Sequence, residues 1–304
     1  MKAAHEAAID RPGLLIKAEE ASDIYFVGGS APSLLARRTW NLLIQAAAGE
    51  GWKEQQHCIL KRELRAGRHV SPQEISDCLV ELQRTLIQER RVTPDGKPGR
   101  QTVALLGSTI EHDHDDDSKV WFRFDPVMCD MLRTSRYYVE LERLVFLHFE
   151  CKYSFPLYER GVRKLRDKQV NETIKLIDLR GIFGIEKGKL KTWQALRTRV
   201  IEAAVAEVNQ LAPFTVRWLP VVDKTTKRHN PPVIAVQFWY DHKDEKAVAE
   251  AKAELARPRV GRTARRQGIV EQIAADDAAL AAQIKTDLAA PPPVRQSHFL
   301  RGKT

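Results

Sequence analysis

The chain has 304 residues, which is enough for about two domains of ordinary size. Its formal net charge of +9 favours an anionic partner such as a nucleic acid. No stretch approaches the roughly 18 consecutive apolar residues of a membrane span, and the first residues lack the apolar core of a signal peptide. The composition therefore predicts a cytoplasmic protein with no membrane partner.

The four cysteines are too far apart in the sequence to form a local metal or redox motif. They are Cys58, Cys78, Cys129 and Cys151, and no two of them have C-x-x-C spacing. A zinc ribbon or a dithiol redox centre is therefore unsupported. Free thiols in a reducing compartment are the simpler interpretation.

The first part of the chain predicts an arm followed by two helices. Residues 1–29 look like a flexible N-terminal arm that ends in GGS. Ser30 could cap a helix through APSLLARRTWNLLIQAAAG, whose apolar residues keep helical spacing. A second start signal is SPQE at residues 71–74, because Ser71 and Glu74 can form a capping box around a proline.

Two β-rich runs, QTVALLGSTI and KVWFRF, follow the TPDGKPG turn. Helix, helix and hairpin is the element order of a winged-helix unit. The sequence therefore predicts an N-terminal winged-helix domain over residues 30–125.

The same element order returns in the second half. ELERLVFLHFECKYSFPLYERGVRKLRD predicts helical segments broken near Phe155-Pro156, and IKLIDLRGIFGI predicts a strand and a short helix. A helix from about Lys191 to Gln210 comes next, and FTVRWLPVV and VIAVQFWY form a hairpin. We thus expect an α+β fold with two tandem winged-helix domains, the second over residues 126–242. Residues 243–304 form a charged, partly helical and partly disordered tail.

Positive charge is concentrated in the second half. Residues 160–229 contain 16 Lys and Arg against 7 Asp and Glu. The helix from Lys191 is basic only in its first half. In a helix-turn-helix the second helix enters the major groove with its N-terminal half, where such side chains reach bases and phosphates.

This pattern predicts a set of DNA-binding residues on the helix start and on the hairpin loop. They are Lys189, Lys191, Thr192, Gln194, Arg197, Thr198, Arg199, Lys224, Lys227 and Arg228. The alternative is an ordinary surface helix with solvated basic residues. On the helix alone the two interpretations weigh evenly, and the basic hairpin loop favours DNA.

Two other motifs invite a chemical interpretation. In EHDHDDDS, His112, His114 and Asp116 would share one face of a strand and could hold a divalent metal. Mutual repulsion among the five acidic residues of this stretch favours a solvated loop instead. GIFGIEKGK has Phe183 where a phosphate-binding loop needs its first glycine and Leu190 where it needs Ser or Thr. We therefore predict no metal, no cofactor and no catalytic residues from these motifs.

Glu207 lies on the apolar side of its predicted helix, which is unusual for a carboxylate. It could pair with an arginine between the two domains, or it could accept hydrogen bonds in the core. The sequence leaves both possibilities open.

Several motifs together resemble the initiator replication proteins of iteron-containing plasmids. In that family a strand and a D-L-R helix precede a helix with a rough R-V-L-x-x-A-I-x-E-I-N pattern. Residues 199–201 and 207–209 match the two ends of that pattern, and SFPLYERGVRKL resembles the family's Y-S-x-R-L-Y-E-L-L helix. The similarity covers residues 120–240 well and residues 30–120 only in element order.

The resemblance implies two winged-helix domains and a non-enzymatic role. The C-terminal domain would read the iteron through residues 189–199, and the N-terminal domain would touch DNA backbone and supply a dimer interface. Monomers would open double-stranded origin DNA and recruit the host replicative helicase and other initiation proteins. Homodimers in equilibrium with them could repress the initiator's gene. A winged-helix transcriptional repressor without origin function is the alternative, and a metal-dependent nuclease using the acidic loop is a distant third.

Overall fold

The structure is a computed structural model that describes residues 11, 13–22, 24–27, 31–66, 68, 70–112, 118–223, 225 and 231–257. The described residues lie within one compact unit that extends to Arg257. Helices pack against four small antiparallel sheets, so the fold is α+β. Among these residues no helix combines the length and apolar character that crossing a bilayer requires.

The part of the chain before residue 135 contains short strands and five helices among its described residues. In chain order they are β1 Leu14–Ala18, α1 Glu19–Ser22, β2 Tyr25–Phe26, α2 Leu34–Ala48, β3 His57–Leu60, α3 Lys61–Arg65, α4 Pro72–Arg84, β4 Leu86–Val92, β5 Pro98–Ala104, β6 Thr109–Glu111 and β7 Lys119–Phe122, followed by a fifth helix, α5 Pro126–Thr134.

The second part begins with a strand that returns to β1. Its elements are β8 Tyr138–Glu142, α6 Arg143–His148, α7 Ser154–Arg166, β9 Asn171–Lys175, α8 Leu176–Ile182, α9 Trp193–Leu196, a π-helical turn Arg197–Glu202, α10 Ala203–Leu211, β10 Phe214–Val222, β11 Val233–His242 and α11 Glu245–Ala256. The segments α9, the π turn and α10 follow one another directly and form one helix, the long helix (residues 193–211).

Strand β1 differs from the expectation of a flexible arm over residues 1–29. It pairs antiparallel with β8, and Leu15 and Ile16 are buried. Lys17, which breaks the apolar run in the sequence, is also buried because its ammonium lies 2.7 Å from the Glu159 carboxylate of α7. A charged residue that finds a buried partner far away in the chain leaves no local signal of a strand.

Helix α2 begins later than the sequence suggested. Ser33, not Ser30, is its N-cap, and the Ser33 hydroxyl accepts a hydrogen bond from the Ala36 amide at 3.2 Å. Ser30 lies outside the described residues. The Glu81 carboxylate of α4 accepts hydrogen bonds from the Ser33 amide and hydroxyl, which ties α4 to the start of α2.

The capping box at the start of α4 is confirmed, whereas the hairpin after it was placed wrongly. Ser71 and Glu74 make both reciprocal hydrogen bonds. The hairpin consists of β4 and β5, and TPDGKPG forms its turn rather than preceding it. Strand β4 was not predicted, because charged residues interrupt the apolar pattern of its sequence, LIQERRV. The end of the predicted run QTVALLGSTI and the run KVWFRF correspond to β6 and β7, and these two strands do pair. Residues 113–117 of the acidic loop between them lie outside the described residues.

Helix α7 runs through Phe155 and Pro156, so the predicted break at this pair was wrong. Pro156 is the third residue of the helix, where a backbone amide has no partner within the helix to lose. The interruption lies at residues 149–153 instead. Further along α7, Gly161 packs so closely that an added Cβ would lie 2.3 Å from the Phe214 ring.

The order helix, strand, short helix, helix and hairpin occurs twice, over residues 34–104 and 154–242. In the second region β9 joins the hairpin to give the sheet order β10-β11-β9, whereas in the first β3 pairs with β7. The boundaries of two separate domains remain a prediction. After the second hairpin, α11 buries Ala251 and Leu255, so the start of the predicted tail is helical and packed.

Candidate nucleic-acid interface

The turn between α8 and the long helix has a tightly defined backbone. Gly184 and Gly188 have φ values of +60° and +88°, which glycine adopts at little cost. A Cβ on Gly184 would also lie 2.0 Å from the Cβ of Ala31. The Arg180 guanidinium donates to the backbone carbonyls of Lys189 and Leu190 at 3.0 and 2.7 Å, which fixes the chain just before the long helix.

The long helix packs through the apolar stripe that the helical spacing of Trp193, Leu196, Val200, Ala204 and Val208 predicts. Leu196, Val200, Ala204 and Val208 are buried, and Trp193 is half-buried. Its N-terminus is capped by Thr192, whose hydroxyl accepts from the Ala195 amide at 3.2 Å. Thr192 therefore has a structural role in addition to any contact with DNA.

Most of the predicted binding residues on the helix start share an exposed surface, which we call the basic face. It comprises Lys187, Lys189, Lys191, Thr192, Gln194, Thr198 and Arg199, all of which are exposed. Lys189 pairs with Glu186 at 2.8 Å, and that carboxylate raises the pKa of Lys189. Lys187 was not predicted, because it lies in the turn and belongs to no helical pattern.

Arg199 and Arg197 differ in their surroundings. Among the described residues, no ion pair or hydrogen bond involves the Arg199 side chain. Arg197 instead lies 2.5 Å from the Glu202 carboxylate and 5.8 Å above the Trp218 ring of β10. Arg199 therefore has no such partner among the described residues, whereas Arg197 is held by Glu202 and Trp218. We call Arg197 the braced arginine.

The second hairpin is attached to the long helix by aromatic and amide contacts. Trp218 meets Trp193 edge to face, with ring centroids 6.1 Å apart. The Asn209 side chain exchanges two hydrogen bonds with the Val216 backbone, at 2.6 and 3.0 Å. The predicted loop contacts Lys224, Lys227 and Arg228 lie outside the described residues.

Residues 175–239 match the family model described as Initiator Rep protein, WH2. The match begins at the last residue of β9 and contains α8, the long helix and most of the hairpin. It supports a relationship to initiator Rep proteins over this region, which we call the Rep-like winged helix. Such proteins act in plasmid replication initiation and bind DNA, so the match implies DNA as a partner. No curated protein was found to match the chain.

A buried carboxylate connects the long helix to the start of α7. Glu207 accepts hydrogen bonds from the backbone amides of Glu150 and Cys151 and from the Ser154 hydroxyl, at 2.5, 3.0 and 2.5 Å. The core hydrogen-bond interpretation is thus correct, and the interdomain arginine is not. Burial raises the pKa of Glu207 despite these three donors.

A second polar cluster joins α7 to the sheet. The Arg160 guanidinium forms two hydrogen bonds with the Glu172 carboxylate, at 2.9 and 2.7 Å, and the Tyr240 hydroxyl donates to the same carboxylate at 2.7 Å. Burial pushes the pKa of Glu172 upward, but Arg160, Tyr240 and Lys164 together outweigh it, so this pKa is lowered.

The structure offers little support for metal or thiol chemistry. Within the described part of the chain no three His, Cys, Asp or Glu side chains are grouped to hold a metal ion. His112 is exposed and lies against Trp121, while His114 and Asp116 are outside the described residues. Burial raises the pKa of Cys78 to about 12 and that of Cys129 to about 11, which makes both poor nucleophiles.

Proposed function

We propose that the protein is a plasmid replication initiator that binds repeated origin DNA sequence-specifically. The observation that carries this proposal is the basic face, which covers the turn before the long helix and the N-terminal half of that helix, inside the Rep-like winged helix. A helix-turn-helix places this part of its second helix in the major groove. An exposed arginine, glutamine and two lysines there match the side chains that bind base edges and phosphates.

The proposal divides the binding residues by their chemistry. Gln194 and Arg199 lie where they could reach base edges, while Lys189 and Lys191 suit diffuse contact with phosphate. The loop cations Lys224, Lys227 and Arg228 would grip backbone on the side of the hairpin, a contribution that follows from the sequence alone. The resemblance to iteron initiators adds origin opening, recruitment of the host helicase, and exchange between homodimer and monomer.

A selection from random DNA tests the proposal. The full chain is mixed with a random duplex pool, and bound sequences are recovered and read. We expect one enriched motif. This motif should occur as tandem repeats, about two helical turns apart, in the replication origin of the plasmid that encodes the protein. Recovery of no common motif would contradict sequence-specific binding.

A transcriptional repressor is the second candidate, because the match covers a DNA-binding winged helix and would fit a repressor equally well. Origin opening separates the two functions. The full chain is added to a supercoiled origin plasmid, and unpaired bases are mapped with a reagent specific for single strands. Reactive bases beside the repeats support an initiator, whereas tight binding without reactive bases supports the repressor.

A further inference from the structure

The braced arginine of the long helix has an unusual partner. The Arg197 Nε atom donates to the Glu202 Oε1 atom at 2.5 Å, and these two residues are five positions apart. In an α-helix such residues point about 140° apart around the axis, since each residue advances by about 100°. They do not face each other there.

The π-helical turn makes the pair possible. Residues 197–202 form this turn, whose backbone bonds join positions five apart and so bring Arg197 and Glu202 onto one side of the helix. Single π turns within α-helices are often found at functional sites. Here the turn falls at the end of the basic face.

The guanidinium is supported on a second side by the hairpin. Trp218 lies beneath it at 5.8 Å, and Trp193 holds the Trp218 ring in an edge-to-face contact. Arg197 contacts Glu202 through its Nε atom. Its two terminal amino groups make no hydrogen bond or ion pair within the described part of the chain. The Arg197 side chain is 40% exposed, so these groups can reach solvent or a ligand.

We propose that Glu202 and Trp218 are positioning residues that hold Arg197 as a fixed fork for a pair of acceptors on DNA. The acceptors are O6 and N7 of a guanine, or two oxygens of a phosphate, because both suit the planar guanidinium. This inference rests on the proposed DNA-binding function. A fork that is already oriented loses less conformational freedom on binding than a free arginine does.

Two variants test the fork separately from its charge. Arg197→Lys keeps the positive charge but loses the planar fork, and Glu202→Gln keeps the shape but releases the guanidinium. We expect each to weaken binding to the selected motif by about 5- to 150-fold, with a much smaller change on scrambled DNA. Both are measured by fluorescence anisotropy with the full chain.

The sign of the Glu202→Gln effect is decisive. Removing a negative charge near DNA should by itself tighten binding, so a loss of affinity identifies a positioning role. Asp178→Asn is the matched control, since Asp178 is an exposed carboxylate on α8 with no ion pair among the described residues. It should leave the preference for the motif unchanged. Motif binding by Glu202→Gln that equals or exceeds wild type overturns the proposal.

The nature of the acceptor pair is tested on the DNA. Replacing each motif guanine by 7-deazaguanine removes N7, and replacing single phosphates by methylphosphonate removes a charged oxygen. One modification should weaken wild-type binding and have no further effect on Arg197→Lys. If every modification weakens both proteins equally, Arg197 contacts no acceptor and the proposal fails.

Two further measurements keep the outcomes distinct. If Glu202→Gln lowers the thermal unfolding midpoint substantially, Arg197→Lys decides alone, because that variant retains the Glu202 carboxylate. Arg199→Ala tests the binding surface itself. Loss of binding there with none in Arg197→Lys contradicts only the fork, whereas wild-type binding by both contradicts the proposed DNA-binding surface.

Discussion

The regions 34–104 and 154–242 share an element order, but the helix that precedes the hairpin exposes opposite charges in the two regions. On α4 the exposed residues are Gln73, Glu74, Asp77, Val80 and Arg84, so acidic groups dominate the middle of that surface. On the long helix the corresponding surface is the basic face. Both helices start with a side-chain cap and pack through an apolar stripe.

Under the proposed function, a helix-turn-helix order alone does not make a surface for DNA. Glu74 and Asp77 would meet phosphate charge with like charge, whereas Lys191 and Arg199 would meet it with opposite charge. The apolar stripe fixes how each helix packs, and the exposed residues then decide what it can bind. We therefore expect α4 to contribute little to base recognition.

The largest expected effect concerns the ion pair that links β1 to the second region. Lys17 on β1 pairs with Glu159 on α7, and its ammonium lies 4.4 Å from the Trp40 ring of α2. Lys17→Met removes the hydrogen-bonded partner of the buried Glu159 carboxylate and leaves it only the electrostatic attraction of the buried Arg37, which should cost about 3–5 kcal/mol of unfolding free energy. Urea unfolding of the full chain measures this loss.

A double replacement is the control for that prediction. Lys17→Met combined with Glu159→Leu removes both charges and replaces them with apolar side chains of similar size. Such replacements are often neutral or stabilising, so most of the lost stability should return. If the double variant is as unstable as Lys17→Met, packing rather than charge explains the loss.

The second effect compares one arginine from each region. Arg199→Ala removes an exposed cation from the basic face and should cost on the order of 1–3 kcal/mol of binding to the selected motif. Arg84→Ala removes an exposed arginine from the last turn of α4 and should change binding far less. Equal losses for the two variants, measured by titration at fixed salt, would mean that both regions contact DNA to a similar extent.

Residues 140–142 of β8 were predicted as helical, and α1, α3 and α5 were not predicted. Local patterns did predict α2, α4, α6, α7, α8, the long helix and the second hairpin, because their signals lie within a few residues of each other. The capping box at Ser71 and the buried stripe from Leu196 to Val208 are examples. The strand β1 was missed since its stability comes from β8 and from Glu159, more than 100 residues away in sequence. No local rule reports such a partner.

The candidate site shows the same limit. Helical spacing and charge predicted every member of the basic face except Lys187, and these residues are exposed. The brace of Arg197 escaped prediction because a π turn changes which residues face each other, and a regular α-helical projection assumes that no such turn is present. Trp218 was missed because only the folded hairpin brings it beneath the helix.

The third effect is a pH dependence located in the second region. The pKa of Glu172 is lowered in the folded protein, so the ionised carboxylate stabilises the fold above its unfolded pKa of about 4.5. That stability is lost as the pH falls through the lower, folded pKa. The contribution to the slope is at most about 1.4 kcal/mol per pH unit. Unfolding free energy measured between pH 6 and acid should therefore fall less steeply in Glu172→Gln, and parallel curves would contradict this account.

The smallest effect compares the two helix caps. Ser71 caps α4 and Thr192 caps the long helix, and replacing either with Ala should cost about 1 kcal/mol of unfolding free energy. Only Thr192→Ala should also weaken DNA binding, because fraying of that helix start disorders Lys191 and Gln194 on the basic face. Ser71→Ala is the matched control, measured by the same urea unfolding and anisotropy titrations. If both replacements lower stability and neither changes affinity, DNA binding does not require a well-ordered N-terminus of the long helix. The difference between the two regions in DNA binding would then not arise at the N-terminal turns of these helices.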